Sequence, residues 1–398
     1  MKIAALTFEF PTRAEPHRGL AIWALLQELA RRADLVAYCS LPRYFPPVRR
    51  HRDFIHDAPW LESFAEVRSS TLRFAAVPVV TRPLNGWLLS HPLRNGLRKE
   101  RPEVVVAFWV YPEGDAALRA CRALNIPLVV VSLGSDLKCV PRHPWIQRQV
   151  RDVVSRADQV LAVSEDLCQI ARRIGAPQDR VRLLELGVDG KIYSAVDQAV
   201  ARRSLGVPAA ARLILFAGRL VPLKGLPRLL DAFAILKRRE PGRWQLALAG
   251  NGSEEPKLRR QVDALGMRDS MRFLGSLSPA ELARWMNAAD VLCLPSETEG
   301  RPNVILEALS CGCPVVATPV GGIPEIVRPG CGILVWQEGP DALADALTDA
   351  ASTTWDRAAI SEMYRKAWGE TASDLLEACR LAASRRQSAF TPSAIAPG

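Results

Sequence analysis

The amino-acid sequence predicts an α/β protein built from two doubly wound parallel-sheet domains. Short, almost continuously apolar runs alternate with amphipathic helical patterns, which is typical of parallel sheets covered by helices on both faces. This alternation lapses around residues 190–210 and then starts again. The length of 398 residues suits two domains, each with its own core.

The first series of elements starts near the N-terminus. Strands are predicted where apolar residues run together, at Lys2–Phe8, Asp34–Ser40, Glu103–Val110, Pro127–Leu133 and Asp158–Ser164. Helices are predicted where apolar residues recur at the spacing of an α-helical face, at Leu20–Ala33, Gly114–Ile126 and Glu165–Gly175. We expect residues 1–190 to form an N-terminal domain.

The second series repeats the same alternation. Strands are predicted at Arg212–Gly218, Trp244–Gly250, Val291–Ser296 and Pro314–Thr318, and helices at Leu226–Arg239, Glu254–Gly266 and Asn303–Gly312. We expect residues 200–362 to form a C-terminal domain. A helix at about 364–383 is expected to pack back on the first domain, and the aperiodic residues 384–398 to form a disordered tail.

Composition excludes several classes of protein. The net charge of +10 arises mostly before residue 190, which indicates either an ordinary solvated surface or a face for an anionic partner. Aromatic residues do not interleave with the basic ones, so nucleic acid is not expected. Nine cysteines without a CxxC pair suggest buried free thiols in a reducing cytoplasm rather than a metal site. Glu9 and Pro11 interrupt any signal peptide, and no apolar run is long enough to span a membrane.

Ligands of open parallel sheets bind beyond the carboxyl ends of the strands, so the loops there are expected to carry the binding site. Arg219 follows the strand ending at Gly218, and Lys224 and Gly225 open the next helix. A guanidinium, an ammonium and a helix N-terminus together would suit an anion. A surface arginine and lysine beside a turn would give the same pattern.

A second loop, after the strand Val291–Ser296, carries two glutamates. Gly300 would let a ligand approach the backbone closely, and Pro302 suits a first helical turn. Glu299 and Glu307 could each accept hydrogen bonds from hydroxyl groups, and the free N–H groups of Asn303 and Val304 could face phosphate. This layout matches a nucleotide sugar, although a capping loop with an exposed Glu307 would explain it without a ligand.

Four segments resemble the C-terminal half of the family 4 glycosyltransferases, the retaining GT-B group. They are LFAGRLVPLKGLPRLLDAF, LALAGNGSE, RFLGSLSPAEL and SETEGRPNVILEALSCGCPVVATPVGGIPEIV. The resemblance implies GT-B architecture, with an acceptor-side and a nucleotide-sugar-binding domain, both Rossmann-like, facing across a cleft. The N-terminal half matches more loosely, in segments such as VVVSLGSDL and LAVSEDL.

The resemblance also implies roles for individual residues. Glu299 would contact the donor sugar and Glu307 the ribose, while Arg219 and Lys224 would hold the diphosphate. We therefore expect Arg219, Lys224 and Glu299 to be catalytic, with Glu299 orienting the sugar rather than acting as a nucleophile. The expected substrate-binding residues are Gly19, Asp136, Gly218, Gly275, Leu277, Gly300, Arg301, Pro302, Asn303, Val304 and Glu307.

Three positions depart from the family pattern, and all lie in the N-terminal half. Leu133 stands before GSD where many members carry histidine, and Leu186 replaces the asparagine of NGVD. The loop after the first strand has a single glycine, Gly19, where the family pattern has a pair. These departures support an alternative, a catalytically silent nucleotide-sugar binder that assists a partner enzyme. A nicotinamide dehydrogenase is not expected, because no GxGxxG turn follows the first strand.

The leading expectation is a metal-independent hexosyltransferase that moves a sugar from a nucleotide-diphosphate donor to a hydroxyl acceptor, retaining the anomeric configuration. No DxD triplet occurs in the chain, and neither a metal nor another cofactor is expected. The acceptor is expected to be a surface polysaccharide or glycolipid at the cytoplasmic face of the membrane. Two clusters suggest such a membrane contact, namely Tyr44, Phe45, Arg49, Arg50 and Arg52, and Arg94, Arg98 and Lys99.

Overall fold

The computed structural model describes residues 1–11, 18–44, 67–76, 82–140 and 143–388. The chain divides into two compact units. Unit 1 comprises the chain up to Leu186 together with the C-terminal stretch from Trp368, and unit 2 comprises Gly187–Ala367.

Unit 1 is built on a seven-stranded sheet in the order β3-β2-β1-β4-β5-β6-β7, and all neighbouring strands run parallel. All strands predicted for this half are present. The strands are Lys2–Thr7 (β1), Asp34–Tyr44 (β2), Arg68–Ala76 (β3), Val104–Phe108 (β4), Leu128–Ser132 (β5), Gln159–Ala162 (β6) and Val181–Leu183 (β7).

The central strands of unit 1 are buried on both faces, which is why their sequences are continuously apolar. Along β1, Ala4 and Leu6 face one core, whereas Ile3 and Ala5 face the other. The described helices of this unit are Leu20–Ala30 (α1), Asn85–Glu100 (α2), Asp115–Leu124 (α3), Ser135–Lys138 (α4), Pro144–Arg156 (α5), Glu165–Arg173 (α6) and Trp368–Ser388, the last helix of the chain. That last helix covers the same face as α1.

The C-terminal helix of unit 1 corrects one boundary. Residues 384–388 were expected to belong to a disordered tail, but the helix continues through Ser388. Arg385 lies 2.7 Å from Asp179, and Arg386 lies 3.4 Å from Asp158. These ion pairs link the last turns of the helix to residues just before β7 and β6. Contacts between residues so far apart in sequence cannot be predicted from local periodicity. Residues 389–398 lie outside the described residues.

Unit 2 is built on a six-stranded parallel sheet in the order β10-β9-β8-β11-β12-β13. Its strands are Arg212–Ala217 (β8), Trp244–Ala249 (β9), Met271–Gly275 (β10), Val291–Leu294 (β11), Val315–Ala317 (β12) and Gly332–Leu334 (β13). Its helices are Gln198–Leu205 (α7), Leu226–Arg239 (α8), Glu255–Ala264 (α9), Pro279–Ala288 (α10), Asn303–Ser310 (α11), Ile323–Ile326 (α12), Pro340–Ser352 (α13) and Arg357–Met363 (α14), so that the C-terminal helix of unit 1 is α15. Helix α7 lies within the stretch where the sequence pattern lapses.

Each sheet has one point where the direction of strand addition reverses. In unit 1 this point lies between β1 and β4, and in unit 2 it lies between β8 and β11. The loops that leave the carboxyl ends of two such strands diverge to opposite sides, which opens a crevice for a ligand. In unit 2 the loops concerned carry Arg219 and Lys224 after β8, and Glu299 after β11.

All nine cysteines are free, and only Cys139 is exposed. The expectation of buried free thiols is therefore confirmed for the other eight. No helix within the described ranges is long and apolar enough to cross a membrane.

Candidate functional site

The loop after β8 contacts the loop after β11 through main-chain atoms. Gly225 has a positive φ of 65°, and a Cβ atom there would lie 2.0 Å from the carbonyl oxygen of Pro295. The backbone N–H of Glu297 donates to the carbonyl of Leu223 at 2.9 Å. Only glycine permits this approach, so Gly225 sets the distance between the two loops.

Replacing Gly225 by alanine is expected to lower the free energy of unfolding by about 1–3 kcal/mol, the usual cost of overpacking. The neighbour here is a main-chain carbonyl, which cannot rotate away. Gly242→Ala is the matched control, because its φ is also positive, at 77°, but nothing lies within 4 Å of the added methyl group. Urea unfolding should show the larger loss for Gly225→Ala, and equal losses would contradict the proposed close packing.

Two side chains that the resemblance assigned to different parts of the donor are in direct contact. The Nζ atom of Lys224, from the turn Pro222–Lys224, lies 2.5 Å from Oε1 of Glu299. Both side chains are largely buried, with 18% and 11% of their surfaces exposed. Arg219, in contrast, is exposed, and no described residue pairs with its guanidinium. Arg219 is therefore the uncompensated positive charge of this loop.

Glu299 also accepts a hydrogen bond from a residue of its own loop. Ser296, which is 1% exposed, donates from Oγ to the same Oε1 atom of Glu299 at 2.7 Å. Thr318, at the end of β12, donates from its hydroxyl to the carbonyl of Ser296. Neither hydroxyl residue was predicted as part of the site, although Ser296 is the last residue of a predicted strand. No described residue donates to Oε2 of Glu299, so that atom remains available to a ligand.

The N-terminus of α11 forms the third part of the site. Pro302 occupies the N-cap position, one residue before the helix, rather than its first turn as expected. The first N–H groups of a helix lack partners within it, so those of Asn303 and Val304 are available to an anion. The Oδ1 atom of Asn303 is buried and meets no donor among the described residues. Binding sites often retain such unsatisfied polar atoms.

Glu307 lies one turn further along α11 and is half-buried. Burial raises the pKa of Glu307 to about 7. Tyr193, which is almost wholly buried, lies close enough that Glu307 adds to the effect of burial in raising the tyrosine pKa. Tyr193 was not predicted as part of the site, because it comes from the stretch where the periodic pattern lapses. The capping alternative expected an exposed Glu307, and the structure does not support it.

Gly300 and Arg301 tie their loop to the segment after β12. The N–H of Gly322 donates to the carbonyl of Gly300 at 2.8 Å. The guanidinium of Arg301 lies 3.7 Å from a carboxylate oxygen of Glu325, and only 8% of the Arg301 side chain is exposed. Arg301 is therefore paired with a carboxylate of unit 2. A contact between Arg301 and a substrate remains a prediction.

The loops after β8, β9 and β10 meet at the same edge of the sheet. The N–H of Gly218 donates to the carbonyl of Ala249 at 2.9 Å, and the N–H of Gly250 donates to that of Gly275 at 2.7 Å. Gly218, Gly250 and Gly275 all have positive φ. Leu277 is half-buried in the loop that leads to α10. The loop with the expected substrate-binding residues Gly275 and Leu277 thus lies at the edge that carries Arg219.

The remaining predicted residues lie in unit 1. Gly19 has a φ of 66°, and a Cβ atom there would lie 2.6 Å from the carbonyl of Glu9. Asp136 is buried, and its carboxylate accepts hydrogen bonds from the hydroxyl of Ser132 and the N–H groups of Gly134 and Val110. Burial raises the pKa of Asp136 despite these bonds. Asp136 therefore joins the loops after β4 and β5, and its direct contact with a substrate remains a prediction.

A second buried carboxyl group of unit 1 was missed. Glu113, after β4, is 1% exposed and accepts a hydrogen bond of 2.6 Å from Ser40. Burial, with smaller contributions from repulsion by Glu9 and Asp136, raises the pKa of Glu113 to about 7. Glu113 lies beside the reversal point of its sheet, but its second oxygen is enclosed by protein.

Family models match both halves of the chain: "Glycosyltransferase Family 4" over residues 19–191 and "Glycosyl transferases group 1" over residues 197–367. A D-inositol 3-phosphate glycosyltransferase from Pseudarthrobacter chlorophenolicus is 34% identical over 306 residues, which cover 72% of each chain. The chain belongs to the family 4 glycosyltransferases. The enzyme of the same name from Kribbella flavida is 36% identical over 258 residues, and this chain spans only 61% of its length.

Solved structures share the fold at low sequence identity. Anabaena HepE, in complex with UDP and glucose, has a TM-score of 0.72 at 22% identity, covering 95% of this chain and 98% of that one. Sucrose-phosphate synthase from Thermosynechococcus elongatus has a TM-score of 0.71 at 20% identity, covering 98% of each chain. These similarities confirm the predicted fold class, with two Rossmann-like domains of the GT-B type.

Proposed function

We propose that this protein transfers a sugar from a nucleotide-diphosphate donor to a hydroxyl acceptor with retention of anomeric configuration. The observation that carries the proposal is the grouping, at the reversal point of the unit 2 sheet, of Arg219, Lys224, Glu299 and the N-terminus of α11. Cationic groups for a diphosphate and carboxylates for hydroxyl groups occur there together. The presence of UDP and glucose in the HepE structure supports the same donor class.

Diphosphate binding would change the partners of Lys224. In the structure its ammonium group contacts Glu299, whereas a diphosphate would compete for it with a greater charge. Arg219 is free to pair with the same diphosphate, and the N–H groups at the start of α11 add a helix dipole of suitable sign. These groups would stabilise the negative charge that develops on the leaving diphosphate.

The carboxylates would orient the two sugars of the donor. Ser296 donates a hydrogen bond to Oε1 of Glu299, and this bond would persist when the diphosphate draws Lys224 away, so Oε2 can accept hydrogen bonds from hydroxyl groups of the transferred sugar. A carboxylate that accepts hydrogen bonds on both oxygens is a poorer nucleophile, which supports an orienting role for Glu299. Glu307 would accept hydrogen bonds from the ribose diol.

Retention would follow from attack on the same face that the diphosphate leaves. The bond between the anomeric carbon and the phosphate oxygen breaks, and a bond between that carbon and the acceptor oxygen forms. The acceptor proton passes to an oxygen of the departing diphosphate. In this scheme Arg219 and Lys224 neutralise the leaving group, so no metal ion is required for that task.

A catalytically silent sugar-nucleotide binder is the second candidate, and Leu133 favours it. Leu133 follows β5 and packs against both cores of unit 1, where many relatives carry a polar side chain. Leu186, the other departure, also packs against a core. Donor binding without donor turnover would distinguish this candidate from a transferase.

The acceptor class is the least specified part of the proposal. The related proteins named D-inositol 3-phosphate glycosyltransferase support a hydroxyl acceptor. We propose an acceptor of surface polysaccharide or glycolipid synthesis at the cytoplasmic face of the membrane. Of the predicted membrane clusters, Phe45, Arg49, Arg50 and Arg52 lie outside the described residues, and only the backbone of Tyr44 is described.

A thermal-shift screen against nucleotide sugars tests the donor class. A ligand present at a hundred times its dissociation constant stabilises the folded protein by roughly 2.7 kcal/mol, so the expected result is a clear rise in Tm with at least one nucleotide sugar. The corresponding nucleoside diphosphate should give a smaller rise. If no nucleotide, sugar-bearing or free, changes the Tm, the donor-site assignment is wrong.

A further inference from the structure

Two aromatic side chains lie at the reversal point of the unit 1 sheet. Phe8 directly follows β1, and Trp109 directly follows β4. Their ring centroids are 4.9 Å apart, and the ring planes are tilted by 58°. Both residues are half-buried, whereas Thr7 and Phe108, which end the two strands, are wholly buried. These two residues, which we call the aromatic pair, therefore lie where a ligand of an open parallel sheet is expected.

The backbone of Trp109 has a conformation that favours glycine. Its φ is 81°, a value that residues with a Cβ atom rarely adopt. The N–H of Trp109 donates to the carbonyl of Val131 at 2.8 Å, and the carbonyl of Trp109 accepts from the N–H of Gly114 at 3.0 Å. Strained residues that their surroundings hold in this way cluster at ligand sites. A large ring at a position where glycine would be less strained indicates a role for the ring beyond packing.

Polar groups border the aromatic pair. The guanidinium of Arg18 lies 5.5 Å from the centroid of the Phe8 ring. Glu9 follows Phe8, is half-buried, and donates from its N–H to the hydroxyl of Thr7 at 3.0 Å. An apolar surface bordered by a guanidinium and a carboxylate suits a sugar, because the C–H face of the sugar packs on aromatic rings while its hydroxyl groups form hydrogen bonds.

Leu133 makes the same end of unit 1 more apolar. It follows β5, the strand beside β4, and packs against the same core as Trp109. Many relatives carry a histidine at this position. The leucine therefore removes a polar group and suits a ligand that is bound by stacking.

The carboxyl groups of this region disfavour a phosphorylated ligand. Repulsion by Glu9 and Asp136 contributes to the raised pKa of Glu113, so the three groups lie within reach of one another's charge. A phosphate group would add about two further negative charges, and Arg18 carries only one positive charge. A neutral sugar would not meet this repulsion.

We propose that the aromatic pair stacks against a neutral pyranose, the sugar of the acceptor that receives the transferred group. Trp109 would cover the C–H face of the ring, and Arg18 and Glu9 would bind its hydroxyl groups. The inference rests on the transferase function proposed above. It narrows the acceptor to a glycan or glycolipid whose receiving sugar carries no phosphate.

Saturation-transfer difference NMR with neutral methyl glycosides tests the proposal. The probes are the methyl pyranosides of glucose, galactose, mannose and N-acetylglucosamine, and glucose 6-phosphate is the charged comparison. The wild-type protein should transfer saturation to ring C–H protons of at least one neutral probe, and less to glucose 6-phosphate. Trp109→Gly should bind that probe about tenfold more weakly, because one stacked ring is lost, whereas Trp109→Phe should keep most of the affinity.

A second variant and a control keep the test independent of folding. Glycine accepts the positive φ of position 109, and the Tm shows whether Trp109→Gly folds. Phe8→Leu keeps an apolar side chain but removes a ring, so it should also weaken binding. Trp355→Phe is the matched control, because the Trp355 indole donates to the carbonyl of Ala350 at 2.7 Å within unit 2. It should bind the probe like the wild-type protein.

Three results would overturn the proposal. They are binding of no neutral probe by the wild-type protein, stronger binding of glucose 6-phosphate than of the neutral probes, and unchanged affinity in both Trp109→Gly and Phe8→Leu. These measurements use no donor. Each of these results therefore leaves the donor-site assignment, which the thermal-shift screen tests separately, intact.

Discussion

Replacing Arg219 by alanine is expected to lower kcat about 100- to 1,000-fold, the usual effect of removing one group that stabilises charge in a transition state. Arg219 follows β8 at the reversal point of the unit 2 sheet, and no described residue neutralises it. Its guanidinium is therefore available to pair with a departing diphosphate. Because the side chain is exposed, the Tm should change little. Steady-state kinetics with the donor found by the thermal-shift screen measures the effect.

Arg238→Ala is the matched control for Arg219. Arg238 is also exposed and unpaired among the described residues, but it lies in the last turn of α8, away from the strand ends that carry the site. Its replacement should leave kcat unchanged. The role of Arg219 would be contradicted if its variant stayed active while a chelator abolished the activity of the wild-type protein, because the leaving charge would then depend on a metal ion.

Replacing Glu307 by alanine is expected to weaken binding of the nucleoside diphosphate about ten- to a hundredfold. Hydrogen bonds to a charged group contribute roughly 1.5–3 kcal/mol, and Glu307 would lose those to the ribose diol. Isothermal titration calorimetry measures the change. Unchanged affinity for the free nucleoside diphosphate would rule out the ribose assignment.

The pKa of Glu307 adds a pH dependence to this prediction. Burial raises that pKa to about 7, so part of the unliganded protein carries a protonated carboxyl group at neutral pH. The ribose diol donates hydrogen bonds and favours the carboxylate, so affinity should rise as the pH increases through 7. Phosphate groups also titrate, near a pKa of about 6. Glu307→Gln separates the two effects, because it should keep only the part that comes from the ligand.

The sequence predicts the fold well where strands are buried on both faces. The central strands β4 and β5 are wholly buried and read as continuous apolar runs. The edge strand Arg68–Ala76 was not predicted, because its alternating exposed positions carry arginine and serine. The edge strand Met271–Gly275 is likewise only partly buried. Exposure at a sheet edge removes the apolar signal on which such predictions depend.

The sequence predicts which residues belong to the candidate site, but not which of their side chains contact each other. Strand ends and a resemblance point to Arg219, Glu299 and Glu307, since each lies in a segment with a local pattern. The pairing of Lys224 with Glu299, and the hydroxyl bond from Ser296, depend on how two loops approach at Gly225. Tyr193 beside Glu307 comes from a stretch without periodicity. Such contacts between separate loops leave no trace in local sequence patterns.

Proton NMR of a reaction mixture shows whether the protein transfers a sugar and whether it retains the anomeric configuration. The purified protein is incubated with the donor identified by the thermal-shift screen and a hydroxyl acceptor, and the anomeric signals are followed over time. We expect release of the nucleoside diphosphate and a transferred sugar whose anomeric configuration matches that of the donor. A donor that binds but stays intact would contradict catalysis and favour a silent binder, and a product of opposite configuration would contradict retention.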